Sequence, residues 1–235
     1  MDTVNVDKLS KRLETVVSYI EKGMSIADIG SDHAYLPCYA VKKGIVSRAI
    51  AGEVVEGPYQ SARKQVASVG LNDIIDVRKG NGLAVIEAGE VDAIVIAGMG
   101  GTLITDILEA GKEKLQGVKR LILQPNIAAD VIRNWLVRNG WQLVDEEILE
   151  EDGKFYEVLV AERGEITPPY SVKELMLGPF ILKKKNDAFY HKWQQEIEQW
   201  EHILQELNKA EQNEKVHYKK ESLLNVINMV KGELK

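Results

Sequence analysis

The side chains best placed to do chemistry lie in two short runs. Residues 26–37 read Ile-Ala-Asp-Ile-Gly-Ser-Asp-His-Ala-Tyr-Leu-Pro, and residues 50–53 read Ile-Ala-Gly-Glu. Glu53 falls 23 positions after Gly30, near the roughly 20-residue offset at which an acidic side chain takes the ribose hydroxyls in nucleotide-binding βαβ folds. A carboxylate at a strand end can accept both hydroxyls through charge-assisted hydrogen bonds. The pairing predicts an adenosine-containing cofactor across the carboxyl ends of the first two strands of a parallel sheet. The first turn departs from Gly-x-Gly-x-x-Gly: it has one early glycine, Gly30, then Ser31, Asp32 and His33. A pyrophosphate needs close backbone approach at several glycines, so this loop disfavours a dinucleotide.

Three further runs stand where strands should end. In Gly80-Asn81-Gly82, the Asn81 amide can read an adenine edge, or Asn81 can be a turn residue with left-handed backbone. In Ala97-Gly98-Met99-Gly100-Gly101, the glycines let backbone groups approach a target closely and Met99 can lie against a flat ring. Tight strand–helix packing is the alternative reading there. In Gln124-Pro125-Asn126, two amides could hold a base edge. His33 is the only histidine in the first 166 residues, open to a catalytic or a structural role. Tyr35 and Tyr59 could stack on a base, though core packing suits both. Cys38 reads as a packed helix residue, since no activating group stands beside it.

These residues need elements to carry them. Leu9, Leu13, Val16, Val17 and Ile20 predict a helix ended near Gly23. Strands are expected at Ser25–Ile29, Arg48–Ala51, Ile74–Arg78, Asp92–Ala97 and Arg120–Leu123. The fourth is apolar and β-branched enough to be buried on both faces. Helices are expected over 34–43, Pro58–Val69, Leu83–Ala88, Thr102–Ala110 and Ala128–Asn139, the last with Trp135 and Leu136 inward. Trp141–Leu149 and Tyr156–Arg163 should be an antiparallel pair joined by an Asp-Gly turn within residues 150–154. Strand–helix alternation closed by a hairpin predicts a doubly wound α/β sheet. Thr167-Pro168-Pro169 is a stiff break, dividing an expected sheet domain, 1–166, from a helical unit, 167–235. Trp193, Ile197, Trp200, Leu204 and Leu207, and then Leu223, Ile227, Val230 and Leu234, step by three and four. Two heptad-like helices around a polar 208–216 link predict an antiparallel coiled-coil hairpin.

The composition bounds the rest. With 45% hydrophobic residues in 235, the chain can fill a sizeable core and is not disordered. One cysteine leaves neither a disulfide framework nor a cysteine-based zinc site, and no metal is expected. No apolar run is long enough for a membrane span. The first residues lack a basic start and apolar core, so a signal peptide is not expected and the protein is expected in the cytoplasm.

Together the motifs resemble the class I S-adenosylmethionine-dependent methyltransferases, and more narrowly the bacterial tRNA adenine-N1 methyltransferases of TrmK type. The resemblance runs over residues 7–163. It is carried by Leu9-Ser10-Lys11-Arg12-Leu13, Ala27-Asp28-Ile29-Gly30-Ser31-Asp32-His33-Ala34-Tyr35-Leu36-Pro37, Gly52-Glu53-Val54, Gly80-Asn81-Gly82-Leu83, Ala97-Gly98-Met99-Gly100-Gly101 and Gln124-Pro125-Asn126. It implies a Rossmann-like seven-stranded sheet with a small C-terminal coiled-coil domain, and methylation of N1 of the adenine at position 22 of tRNA. S-adenosylmethionine, the implied cofactor, carries no phosphate. Its carboxylate suits a helix N-terminus and its ammonium suits carboxylates. Asp28 and Asp32 are the candidate ammonium partners, with Gly30, Ser31 and His33 in the same loop; Asp32 could instead merely cap a helix. Glu53 would take the ribose, Asn81 and Gly82 the cofactor adenine, and Ala97, Gly98 and Met99 the transfer site. No Asp/Asn-Pro-Pro-aromatic sequence follows the fourth strand, so a simple side-chain base is not indicated there. Asp28, Asp32 or His33 could take an N6 proton, and Gln124 and Asn126 could hold the target base.

Net charge is −6, which excludes a simple basic nucleic-acid coat but not local patches. Residues 171–235 hold 11 lysines against 10 carboxylates, and the lysines are grouped. Lys8, Lys11 and Arg12, with Lys183, Lys184, Lys185, Lys215, Lys219 and Lys220, are candidate tRNA-backbone contacts; ordinary solvated helix faces are the alternative. A monomer or weak dimer is expected. Competing functions are a class I methyltransferase acting on a small molecule or protein, a non-catalytic cofactor- or RNA-binding module, and an NAD-linked oxidoreductase. The single-glycine turn and the hairpin edge disfavour the last.

Overall fold

The computed structural model describes residues 5–165, 169–210 and 213–235. Seven strands form one sheet: β1 (Ser25–Ile29), β2 (Arg48–Glu53), β3 (Ile75–Lys79), β4 (Ala93–Gly100), β5 (Arg120–Ile127), β6 (Trp141–Glu151) and β7 (Lys154–Arg163), in the order β3-β2-β1-β4-β5-β7-β6. The first five are parallel, and β7 lies antiparallel between β5 and β6. Ile94, Val95, Ile96, Leu121, Ile122 and Leu123 are fully buried, which requires cover on both faces. On one face lie α1 (Lys11–Ser18), α2 (Tyr35–Lys42) and α3 (Glu56–Ser68); on the other lie α4 (Gly101–Ala110) and α5 (Ala129–Arg138). Strand order reverses between β1 and β4, the place where open α/β sheets bind ligands.

Several boundaries differ from expectation, each for a local reason. Helix α1 begins only at Lys11, because the Ser10 hydroxyl caps it and the Glu151 carboxylate, from the far end of the sheet, accepts the Lys11 and Arg12 backbone N–H groups. The helix expected over 34–43 starts at Tyr35, after a short 3-10 turn in which His33 and Ala34 are left-handed. Leu83–Ala88 is no helix; a 3-10 turn, Gly82–Val85, gives way to extended backbone at Ile86. The β6–β7 strands reach Glu151 and Lys154, leaving Asp152 and Gly153 as a two-residue turn with φ of 51° and 71°. Positive φ at both positions is the type I′ geometry whose twist matches the strands. Trp135 packs half-buried against the core, its Nε1 donating to Glu109 Oε2 at 2.9 Å, while Leu136 is fully buried.

The helical tail comprises α6 (Val172–Leu177), α7 (Ile181–Lys184), α8 (Asp187–Lys209) and α9 (Glu214–Glu233). Helices α8 and α9 pack together, with Trp193, Ile197, Ile227 and Val230 buried and Trp200, Leu204 and Leu223 against them. Ile148 of β6 joins that cluster, so the sheet and the hairpin share one apolar seam. Thr167 and Pro168 of the expected break, and with them the 166/167 boundary, lie outside the described residues. No helix among the described residues is long and apolar enough to cross a membrane.

Buried charge ties the tail down. Arg133 of α5 and Glu146 of β6 are fully buried and Glu157 of β7 nearly so. Arg133 donates to Glu146 at 2.6 Å, to Glu157 at 2.5 Å, and to the carbonyls of Leu175 and Met176 at 3.2 Å. Glu146 also accepts the Phe180 N–H at 3.0 Å, and Lys192 of α8 pairs with Glu157. Burial pushes the Glu157 carboxyl up, but Lys192 and Arg133 outweigh it and hold the group at about 2. At Glu146 burial outweighs Arg133 and the Phe180 N–H, and the carboxyl is raised.

Candidate active site

A cleft of about 720 Å³ opens at the carboxyl ends of β1 and β4. Strand β1 delivers Asp28, and the turn after it delivers Gly30, Ser31 and Asp32; β4 delivers Ala97, Gly98 and Met99. Two runs nearly 70 residues apart thus form one concave surface because β1 and β4 are paired neighbours. The Gly30 and Ser31 N–H groups both donate to the Gly52 carbonyl, at 2.9 and 3.0 Å, which folds the turn back over β2. The Met99 methyl lies on the Gly30 α-carbon, where any Cβ would collide with it.

Asp28 is 6% exposed, and its Oδ2 accepts the Ser31 hydroxyl at 2.5 Å. Burial raises its carboxyl to about 6; the Ser31 bond opposes the shift and the Glu53 charge adds to it. This carboxylate therefore gains from any cation that enters the cleft. Glu53, 8% exposed at the end of β2, turns Oε1 onto the N–H groups of Val54 and Val55 at 2.8 and 2.9 Å. Those bonds fix the carboxylate plane. Oε2 has no partner among the described residues.

Other expected site residues are placed differently. His33 does not line the cleft; its ring stacks on Tyr35, with centroids 5.3 Å apart, and Nε2 lies 3.5 Å from Asp32 Oδ1. Asn81 and Gly82 line a separate groove against α4, with Leu103, Asp106 and Ile107. Glu53 links the two regions, since the Gly80 N–H donates to its carbonyl at 3.0 Å. Tyr35 lines the cleft, whereas Tyr59 lies under the Arg63 guanidinium at the start of α3. Gln124 is fully buried, with its amide committed: Oε1 accepts Arg12 Nη1 at 2.5 Å and the Gly98 N–H at 3.1 Å, and Nε2 donates to the Pro125 carbonyl at 2.7 Å. Asn126 Nδ2 donates to the Gly98 carbonyl at 2.8 Å. The two amides thus hold Gly98, with φ of 80°, from both sides, one at its N–H and one at its carbonyl, instead of reaching freely into the cleft.

The basic candidates divide likewise. Lys8 and Arg12 line the cleft. Arg12 lies 5.4 Å from the centre of the Tyr156 ring, and burial lowers its pKa. Lys11 donates to the Glu150 carbonyl at 3.3 Å. Lys184 is committed to Asp145, Glu147 and the Glu146 carbonyl, and Lys185 to Glu233, so neither is a free phosphate contact. Lys183 lies over the Phe180 ring, while Lys215 and Lys219 are exposed on α9. Sequence reasoning gave no site role to the wall opposite the Gly30 turn, formed by Ser10 and Leu13 of the first motif with Glu151, Asp152 and Tyr156. No local pattern brings them together, because the docking of the β6–β7 turn on α1 assembles them.

A family model described as tRNA (adenine(22)-N(1))-methyltransferase matches residues 26–232 of this chain. The Bacillus subtilis (strain 168) protein named tRNA (adenine(22)-N(1))-methyltransferase is 53% identical over 232 residues, 97% of this chain and 98% of its own. The crystal structure of the B. subtilis M1A22 tRNA methyltransferase TrmK aligns with a TM-score of 0.93 at 51% identity, covering 97% of this chain and 100% of that one. The structure of Streptococcus pneumoniae Sp1610 in complex with S-adenosyl-L-methionine aligns with a TM-score of 0.88 at 47% identity, again over 97% and 100%.

Proposed function

We propose roles for the residues of this cleft from the premise that the chain belongs to the tRNA (adenine(22)-N(1))-methyltransferase family. The protein is an S-adenosylmethionine-dependent enzyme that methylates N1 of an adenine in tRNA. The observation that carries the assignment of roles is the meeting of the Asp28–Asp32 turn with Gly98 and Met99 in one cleft beside a fixed Glu53 carboxylate.

The residues suit the cofactor. Asp28 is a buried carboxylate short of a positive partner, which an amino-acid ammonium supplies; Asp32 stands beside it at the rim. Glu53 presents one free oxygen from a locked carboxylate to a ribose diol. Asn81 and Gly82 receive the cofactor adenine along their groove. When bound, S-adenosylmethionine supplies an electrophilic sulfonium methyl, and the remaining demand on the protein is alignment.

Neutral adenine already carries a lone pair on N1, so no base is needed to create the nucleophile. The N1–carbon bond forms as the sulfur–carbon bond breaks, and the positive charge passes to the base. Met99 and Gly98, whose N–H and carbonyl are held by Gln124 and Asn126, set the in-line approach, a contribution of position. Asp28 and Asp32 stabilise the charge that develops on the base. His33 steadies Tyr35 and serves Asp32 as a proton relay. Lys8, Lys11, Lys183, Lys215, Lys219 and Lys220 follow the RNA backbone, whereas Arg12 works inside the cleft. The catalytic unit is 1–166 and the helical unit 167–235, acting as a monomer or weak dimer in the cytoplasm.

Nucleoside mass spectrometry tests the assignment directly. Unmodified tRNA incubated with the protein and S-adenosylmethionine should acquire 1-methyladenosine; a reaction that leaves the tRNA unmodified while consuming cofactor on another acceptor overturns the substrate. The Asp28 role has its own signature. With the group at about 6 in the free protein, ionised Asp28 is abundant at pH 7 and scarce at pH 5. Cofactor affinity should therefore fall about tenfold as pH drops from 7 to 5, because the proton competes with the ammonium. The sign is opposite for the free fold, which protonation of a raised carboxyl stabilises. Titration calorimetry at several pH values should give a flat profile for Asp28→Asn; an unchanged slope would assign the titration elsewhere.

A further inference from the structure

We infer that Arg12 is a positioning residue: its guanidinium holds one backbone phosphate of the tRNA in the cleft and, through Gln124, ties that phosphate to the transfer site at Gly98. The role rests on tRNA as the substrate. An RNA that brings an adenine to Gly98 and Met99 brings backbone phosphates to the mouth of the same cleft. Four carboxylates line that cleft, Asp28, Asp32, Glu151 and Asp152, against two cations, Lys8 and Arg12. A polyanion is drawn to the cations and kept off the rest of the lining.

Arg12 is built for an anion that the fold does not supply. A buried arginine ordinarily has a carboxylate beside it, as Arg133 has Glu146 and Glu157. Arg12 is partly buried. Among the described residues its guanidinium makes one hydrogen bond, from Nη1 to the neutral Gln124 Oε1 at 2.5 Å, and lies 5.4 Å from the centre of the Tyr156 ring. Glu151 stands near, but its two oxygens accept the backbone N–H groups of Lys11 and Arg12. Burial therefore lowers the Arg12 pKa, and Tyr156 and Glu151 offset only part of it. At Arg133, Glu157 and Glu146 outweigh burial and the pKa is raised. A desolvated guanidinium with donors to spare is stabilised by an oxyanion, and its planar fork matches a phosphate.

The same guanidinium reaches the transfer site. Gln124 Oε1 accepts from Arg12 Nη1 and from the Gly98 N–H, so one oxygen joins the two. Gly98 depends on that bond. It lies where the β4–β5 register shifts between Ala97 and Met99, with φ of 80°, and a bulge of this kind leaves the ladder locally unpaired. Phosphate, guanidinium, Gln124 and the Gly98 N–H thus form one chain of contacts from the RNA backbone to the reacting atoms.

Two variants separate charge from geometry. Arg12→Met should weaken tRNA binding about tenfold and reduce the slope of log affinity against log salt by about one, the mark of one lost phosphate contact. Arg12→Lys keeps the charge without the fork. It should bind tRNA to within about twofold of wild type yet methylate about tenfold more slowly in single turnover at saturating tRNA, because an ammonium does not hold Gln124 and a phosphate in one plane. Ethylation of tRNA phosphates should reveal a site beside the target adenine that blocks the wild-type enzyme and falls silent with Arg12→Met. S-adenosylmethionine affinity, read by calorimetry, should stay within about twofold in both variants. A large loss of cofactor affinity with an unchanged salt slope would put the cofactor's carboxylate on Arg12 and overturn the phosphate contact, as would an interference pattern that Arg12→Met leaves unchanged. Full single-turnover rate in Arg12→Lys overturns the link to Gly98. Wild-type protein that leaves tRNA unmethylated removes the substrate reading itself, a result distinct from any change confined to the variants.

Discussion

Glu53→Ala is expected to weaken S-adenosylmethionine binding by about 100-fold, the equivalent of one or two charge-assisted hydrogen bonds. The expectation comes from how the carboxylate is held. Its Oε1 is fixed by the N–H groups of Val54 and Val55, so the plane of the group is set before a ligand arrives and little ordering entropy is lost on binding. Alanine removes the ribose acceptor and leaves two N–H groups without their partner. Glu53→Gln should fall between the two, because an amide oxygen can still satisfy the backbone while the charge is lost. Titration calorimetry reads the affinity and circular dichroism the fold. Retention of wild-type affinity to within about threefold by a folded Glu53→Ala protein would remove the ribose role.

Arg133→Met is expected to destabilise the fold by about 3–5 kcal/mol, the usual cost of removing one partner from a buried ion pair. For a chain of this length that corresponds to a melting temperature lower by roughly 10 °C. The guanidinium is wholly buried and pairs with two carboxylates from different strands. Without it Glu146 has no cation, and Lys192 alone faces Glu157. The Leu175 and Met176 carbonyls also lose their donor, so the tail should loosen from the sheet before the sheet itself melts. Adding Glu146→Gln and Glu157→Gln to Arg133→Met should recover part of the loss, because the stranded charges are then gone. Thermal melts of the single and triple variants decide it: a single variant as stable as wild type would mean that the network contributes specificity and not stability.

The sheet was legible in the sequence because its cause is local. Parallel strands covered on both faces must be apolar along their whole length, and Asp92–Ala97 and Arg120–Leu123 announced themselves that way. Asp152-Gly153 announced the hairpin because few residue pairs accept two positive φ values. The Gly30 turn and Glu53 were readable for the same reason: a tight turn and a strand-end carboxylate are short-range features at a spacing set by one βαβ unit. Lys184 and Lys185 misled, since a run of lysines looks alike whether it faces water or carboxylates brought in from β6 and α9. Arg133, Glu146 and Glu157 passed unnoticed because charged residues in a helix and two strands read as solvated.

What only the tertiary structure decided is which distant residues meet. Gln124 and Asn126 were readable as amides at a strand end, but their commitment to the N–H and the carbonyl of Gly98 depends on β5 lying beside β4. Arg12 reaches Gln124 across 112 positions of sequence, and Tyr156 reaches the cleft only because the β6–β7 turn docks on α1. The sequence by itself determined most of the elements, the tight turn at Gly30 and the carboxylate at the end of β2, since periodicity and turn chemistry act over a few residues. The strand order β3-β2-β1-β4-β5-β7-β6 determined the far wall of the cleft and the buried charges, since burial and pairing act between segments that no local pattern connects.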